Sequence, residues 1–206
     1  MQFTKFYDAK LIAAVLATML HVTSILAQGL IVDQASGTTS EFVQNFTRIP
    51  DNQIAQSFTP SLSAVGFVQF SEFLPAGLGG NDQVTFVVNL RAGAYNGPIL
   101  SSTSPIILVN HGTQIGSFYY PDNVVVTPGQ LYFFEPVLLT AGSMDIGYKF
   151  PSSYPDGDAW NNGLQDTGDY WFREGIVVPE PATLWLFLVG GSVLFSRWRI
   201  ERRSEL

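Results

Sequence analysis

The chain has 206 residues and a formal net charge of −7. Residues 28–178 hold thirteen acidic residues and only four basic ones, a net charge of −9. This acidity repels phosphate backbones, so nucleic acid is not an expected partner. The sequence has no cysteine, which excludes disulfides, cysteine nucleophiles and thiolate metal sites.

The N-terminus has the layout of a signal peptide. Lys5 and Lys10 precede the charge-free run Leu11–Leu20, and small Ala27 offers a cleavage point. We therefore expect residues 1–27 to direct export through the Sec machinery and then to be removed. The alternative is an uncleaved N-terminal anchor.

The next 150 or so residues predict one all-β domain, 28–176. Short aromatic and β-branched runs alternate with Gly, Pro, Asn and Asp clusters, such as Asn96-Gly97-Pro98 and Thr127-Pro128-Gly129-Gln130. About ten strands at this spacing favour an antiparallel two-sheet sandwich. The predicted strands are Leu30–Asp33, Ile54–Thr59, Ala64–Phe70, Val84–Arg91, Ile106–Val109, Ser117–Tyr120, Val124–Val126, Leu131–Leu139, Asp145–Phe150 and Tyr170–Arg173.

The densest polar segment suggests a calcium loop. Asp156, Asp158 and Asn161 lie close together on a glycine-containing stretch, and calcium prefers six to eight such oxygen ligands. The twelve-residue helix–loop–helix calcium motif needs a glutamate at a fixed offset and two flanking helices, and neither feature is present here. The alternative is a solvated loop, because Asp, Asn and Gly favour turns for backbone reasons. Calcium is the one candidate cofactor.

Aromatic residues crowd the same region, and they suggest a glycan contact. Sugar rings present apolar C–H faces that stack on flat aromatic rings, and an exposed apolar patch usually marks a binding surface. Tyr154 and Trp160 are the predicted contacts; the alternative is that these rings fill the core. The whole set is Tyr148, Tyr154, Trp160, Tyr170 and Trp171.

The sequence gives little support for catalysis, and we expect that the protein is not an enzyme. The one histidine of the body, His111, lies in a turn-like segment, and no Gly-x-Ser-x-Gly elbow accompanies it. A hydrolase acting on polysaccharide is the alternative, with Glu72, Glu135 and Glu174 as the available carboxylates.

The C-terminus combines three features in a fixed order. Pro179-Glu180-Pro181 forms a stiff step; the charge-free run Ala182–Ser196 follows, about 22 Å long as a helix; then come Arg197, Arg199, Arg202 and Arg203. We predict a transmembrane helix at 182–196, short for a hydrocarbon core of about 30 Å. The alternative is a buried C-terminal helix.

The charges at both ends predict one topology. Lysines before the first apolar run and arginines after the second both favour the cytoplasm. The body between them then lies outside the inner membrane.

The tail, residues 177–203, resembles the PEP-CTERM sorting signal of Gram-negative bacteria. The resemblance rests on Pro179, Glu180, Pro181, the apolar helix and the four arginines. It implies recognition by an exosortase, a transient stay in the inner membrane, and delivery to the cell surface or the extracellular matrix, often beside exopolysaccharide. A permanently membrane-anchored surface protein is the alternative outcome.

The body has a looser resemblance to jelly-roll accessory modules of secreted bacterial proteins. Gln56-Ser57-Phe58-Thr59-Pro60 and Leu90-Arg91-Ala92-Gly93 look like the opening of such modules. Gly147-Tyr148, the stretch Tyr154–Trp160 and Tyr170-Trp171-Phe172-Arg173 look like their closing strands. The resemblance implies a structural or carbohydrate-binding role and no defined site.

Overall fold

A computed structural model describes residues 28–38, 45–49, 53–74, 83–109 and 112–179. The predicted signal peptide, the predicted transmembrane helix 182–196 and His111 lie outside these residues. Within the described part of the chain, no helix is long and apolar enough to cross a membrane. Leu30–Val177 form one compact unit, and the described residues outside it are 28–29 and 178–179.

The described chain consists of fourteen β-strands. They are β1 (Gln28–Ala35), β2 (Asn45–Ile49), β3 (Ile54–Phe58), β4 (Ala64–Leu74), β5 (Val84–Ala92), β6 (Ile99–Ser102), β7 (Ile106–Leu108), β8 (Gly112–Val125), β9 (Tyr132–Leu138), β10 (Met144–Lys149), β11 (Ala159–Asn161), β12 (Leu164–Gln165), β13 (Asp169–Tyr170) and β14 (Phe172–Pro179).

Two seven-stranded sheets hold these strands. The first, sheet A, has the order β1-β14-β4-β10-β13, with β8 added beside β4 and β2 beside β10. The second, sheet B, has the order β12-β11-β3-β9-β5-β6, with β7 also beside β5. The strand pairs for which a register is defined are antiparallel. The prediction of an all-β fold with two antiparallel sheets is therefore confirmed for the described residues.

Phenylalanines from both sheets meet in one core. Side chains alternate along each strand, so every second residue points inward. Phe134 of sheet B stacks on Phe58 with ring centroids 4.1 Å apart, and meets Phe70 of sheet A edge-on at 6.4 Å. Phe86 and Phe118 join the sheets again at 4.5 Å. These cross-sheet ring contacts make the two sheets a sandwich.

The first and last strands lie side by side in sheet A and run antiparallel. The Ser36 amide donates to the Phe172 carbonyl at 3.0 Å near one end of the pair. Farther along the pair, a Cβ on Gly175 would lie 1.9 Å from the Ile31 carbonyl oxygen. The chain therefore enters β1 and leaves β14 at the same end of the sheet.

Candidate functional site

The predicted loop around Trp160 is a short hairpin at the edge of sheet B. Strands β11 and β12 pair with Trp160 opposite Gln165, and β11 also pairs with β3, where Trp160 lies opposite Ala55. The connection is Asn162-Gly163, with φ of 51° and 80°. Two consecutive positive φ values are typical of the tight hairpin turn that Asn-Gly favours. The hairpin therefore fixes Trp160 on a strand.

Tyr95 and Trp160 form an aromatic shelf on the outer side of sheet B. Their ring centroids are 5.9 Å apart, and the planes differ by 24°. The ring of Phe133 meets Trp160 at 5.6 Å and 76°, edge-on. Both shelf residues are half-buried, and the indole nitrogen of Trp160 is itself buried without a partner among the described residues. Tyr95, which lies 65 positions before Trp160, was not among the residues predicted from the sequence.

Two hydrogen bonds fix the turn after β5 and hold Tyr95 over the hairpin. Gly93 opens this turn with φ of 72°, which a residue with a side chain rarely adopts. The Arg91 guanidinium donates to the Gly97 carbonyl at 2.7 Å. The Tyr95 hydroxyl donates to the Gln53 carbonyl at 2.8 Å. The shelf thus rests on three separate segments of sheet B.

Beside the shelf, Glu135 is the centre of a hydrogen-bond network. Its carboxylate accepts hydrogen bonds from Arg91 Nε at 2.8 Å, Asn89 Nδ2 at 2.9 Å and Gln53 Nε2 at 2.8 Å. Burial alone would raise the pKa of Glu135, but these three donors outweigh it and lower the pKa. Glu135 is therefore ionised at neutral pH, and Arg91 balances its charge.

Uncharged polar side chains lie beside the shelf together with the charged groups of Asp158, Glu135 and Arg91. Gln53 and Gln165 are exposed, and Ser102 at the far side donates to Asn89 Oδ1 at 2.7 Å. Gln165 Nε2 donates to the Asp158 carboxylate at 2.8 Å. Amide and hydroxyl groups both donate and accept, which suits a ligand rich in hydroxyls.

Most of the aromatic residues predicted from sequence fill the interior. Tyr154 is only 4% exposed, meets Phe172 edge-on at 5.2 Å, and accepts a hydrogen bond from the Thr59 amide. Trp171 and Tyr170 are 0% and 1% exposed. Tyr154 is therefore unable to stack on a sugar in this structure, which corrects the expectation for that residue. Trp160 is the one predicted contact that keeps partial access.

The three predicted calcium ligands do not converge. Asp156 is exposed and Asp158 accepts from Gln165, whereas the side-chain oxygen of Asn161 is buried and has no partner among the described residues. Asp158 and Asn161 are three positions apart along extended chain, so their side chains leave on opposite faces. Within the described ranges, no three His, Cys, Asp or Glu side chains come together as a metal would need.

Another carboxylate of that region has a structural role. Asp169 is fully buried, and its Oδ2 accepts hydrogen bonds from the Ser152 hydroxyl at 2.8 Å and from the amides of Ser153 and Tyr154 at 2.8 and 2.9 Å. It fastens the segment after β10 to β13.

The carboxylates considered for hydrolysis are all buried. Glu72, Glu135 and Glu174 are 1%, 3% and 0% exposed. Glu72 and Glu174 point into the interior of the sandwich, and Glu135 is neutralised by Arg91. None of the three faces solvent as a carboxylate in an open cleft would.

Of the predicted sorting residues, the structure describes Pro179 alone, as the last residue of β14. Glu180, Pro181, Arg197, Arg199, Arg202 and Arg203 lie outside the described residues.

Comparisons with protein-family models, with curated proteins and with solved structures gave no match. The site must therefore be interpreted from its own chemistry.

Proposed function

We propose that this chain is an exported, non-enzymatic surface or matrix protein that contacts glycans through the aromatic shelf. The observation that carries the glycan part is the pairing of two partly exposed rings, Tyr95 and Trp160, with exposed amides on the same face. The rings offer flat apolar surface, and the amides offer hydrogen bonds to hydroxyls.

Export and sorting rest on the two ends of the sequence. A signal peptide at 1–27, a PEP-CTERM-like tail and helix 182–196 would take the domain across the inner membrane, with an exosortase as processing partner. The folded body in this proposal is jelly-roll-like.

The burial of the candidate carboxylates supports a non-enzymatic role. A glycosidase needs two carboxyl groups facing each other across a cleft that admits substrate. In the described part of the chain, Glu72, Glu135 and Glu174 are each enclosed by protein.

Mass spectrometry of material outside the native cells tests the sorting part. We expect a chain that begins near Gln28 and ends near Pro179-Glu180-Pro181. Recovery of extracellular chain with its arginine tail intact would contradict processing. A stable membrane pool that retains the tail would instead identify a permanent anchor.

Cosedimentation tests the glycan part. The full-length chain, held in a detergent without a sugar headgroup, is mixed with the insoluble extracellular polysaccharide of its native cells. We expect the protein to pellet with the polysaccharide. A protein that stays in the supernatant at all polysaccharide concentrations would contradict glycan binding.

A further inference from the structure

We infer that the aromatic shelf takes a neutral glycan chain lying across the strands of sheet B, and that it rejects polyuronates and sulfated polysaccharides. This inference rests on the proposed function and specifies its ligand class. It depends on the charges of sheet B, on the polar groups beside the rings, and on the line along which they lie.

The strand segments described for sheet B carry one cation and one anion. These are Arg91 and Glu135, whose Nε and Oε2 atoms are 2.8 Å apart. The Arg91 guanidinium also donates a hydrogen bond to the Gly97 carbonyl, so both of its interactions are with groups of the protein itself. The remaining described cations, Arg48, Lys149 and Arg173, belong to strands of sheet A. Sheet B therefore offers no uncommitted positive charge to a carboxylate or a sulfate.

The groups beside the rings reinforce this preference. Asp158 lies next to the shelf through its hydrogen bond with Gln165, and it adds negative charge. An anionic sugar here would meet that charge with no compensating cation, which is unfavourable in a partly desolvated site. A neutral hydroxyl can instead donate to an amide oxygen or accept from an amide nitrogen of Gln53 or Gln165.

The register of the strands in sheet B indicates the direction in which the ligand lies. Gln165, Trp160 and Ala55 lie opposite one another on β12, β11 and β3, and Glu135, Asn89 and Ser102 do so on β9, β5 and β6. Six adjacent strands spaced by about 4.8 Å give a row about 24 Å long. Gln165 and Ser102 at the two ends of this row are exposed and Trp160 is half-buried, whereas Ala55, Glu135 and Asn89 between them are buried. A ligand that contacts both ends must therefore cross the strands and extend over several sugar rings. We therefore expect extended chains to bind better than single sugars.

Isothermal titration with the full-length chain, in a detergent without a sugar headgroup, tests the inference. The probes are neutral glucans, galactans and mannans as oligosaccharides and polymers, with alginate and dextran sulfate as the anionic probes. We expect binding to at least one neutral polymer. Its affinity should change little between about 50 mM and about 500 mM salt, because no ion pair to the ligand is involved.

Four variants locate the site. Tyr95→Leu should weaken neutral-glycan affinity by about tenfold, the equivalent of 1.4 kcal/mol, because the flat ring is lost. Tyr95→Phe keeps the ring but loses its hydrogen bond to the Gln53 carbonyl, so its affinity should fall less than that of Tyr95→Leu. Tyr119→Leu is the matched control, since Tyr119 is a 40%-exposed tyrosine on sheet A. Gln165→Ala, on the exposed edge strand β12, should also reduce the affinity. Thermal unfolding of each variant checks that the fold is retained.

The outcomes separate the inference from the proposed function. Binding restricted to alginate or dextran sulfate, weakened by salt, would overturn the neutral-ligand inference and leave glycan binding intact. Equal losses in Tyr95→Leu and Tyr119→Leu would overturn the location. Binding to no glycan of either class would overturn the proposed function itself.

Discussion

Two glutamates on the core face of sheet A, Glu72 and Glu174, have no ion pair within the part of the chain that the structure describes, unlike Glu135. Glu72 and Glu174 have carboxyl oxygens without a hydrogen-bond partner among the described residues. Burial raises the pKa of Glu72 to about 8. Burial, together with the nearby Asp33 carboxylate, raises the pKa of Glu174 to about 9. Both acids are therefore held neutral inside the folded domain at pH 7.

These raised pKa values predict a stability that falls as the pH rises. The unfolded chain releases each proton near pH 4.5, whereas the folded chain keeps it up to about pH 8 or 9. Folding therefore binds protons in this window, and each group costs about 1.4 kcal/mol of unfolding free energy per pH unit. Chemical denaturation from pH 5 to pH 9 measures the slope.

Glu72→Gln should flatten that slope, because an amide does not titrate. Glu174→Gln should flatten the slope in the same way. Gln130→Glu, a change at an exposed turn residue between β8 and β9, is the control and should leave the slope unaltered. A wild-type stability independent of pH across this range would show that neither acid is buried as described.

We predict that Asp169 stabilises the Ser152–Tyr154 segment. Asp169→Ala would leave buried amides of the Ser152–Tyr154 segment without an acceptor and should destabilise the domain by about 3 kcal/mol. Asp169→Asn keeps one acceptor oxygen and should cost less. Denaturant unfolding of the three chains measures the difference, and an alanine variant as stable as the wild type would refute the structural role of Asp169.

At the scale of elements, the contact between β1 and β14 depends on Gly175. A Cβ at this position would lie 1.9 Å from the Ile31 carbonyl oxygen, so β1 would have to move. Gly175→Ala should destabilise the domain by about 1–3 kcal/mol and speed hydrogen exchange of the β1 amides. Val177→Ala, which trims a half-buried side chain on the same strand, should leave that exchange nearly unchanged. Equal exchange in the two variants would count against this packing.

Several strands of the fold were predictable from alternation and composition. Predicted Ile54–Thr59, Val84–Arg91 and Leu131–Leu139 agree closely with β3, β5 and β9. Strands β2, β6, β11 and β12 were missed, because their two to five residues show no regular alternation of apolar and polar side chains.

One long strand was predicted as two. Ser117–Tyr120 and Val124–Val126 were expected as separate strands, but β8 runs from Gly112 to Val125. Pro121-Asp122-Asn123 looks like a turn in sequence. In the fold, the Asn123 side chain exchanges hydrogen bonds of 2.8 and 3.0 Å with the backbone of Val177, which fixes this segment beside β14. That tertiary contact is invisible in the local sequence.

The aromatic shelf was only half predictable. Asn162-Gly163 is a strong local signal for a hairpin, and it could have placed Trp160 on a strand. Tyr95 joins the shelf because β5 and β11 belong to the same sheet, separated by β9 and β3. Sheet order is set by packing of the whole domain, so no local pattern identifies this neighbour.

For the whole molecule, we propose that the body crosses the inner membrane while both ends begin in the cytoplasm. The acidic body, with its net charge of −9, would favour solubility after export.

Cysteine labelling tests this topology most directly, because the chain has no native cysteine. Ser104→Cys places one thiol at an exposed position between β6 and β7. Spheroplasts of the native host are treated with a membrane-impermeant maleimide, with a cytosolic single-cysteine protein as the protected control. We predict full labelling of Ser104→Cys before lysis. Labelling that appears only after lysis, at the same stage as the control, would contradict the account.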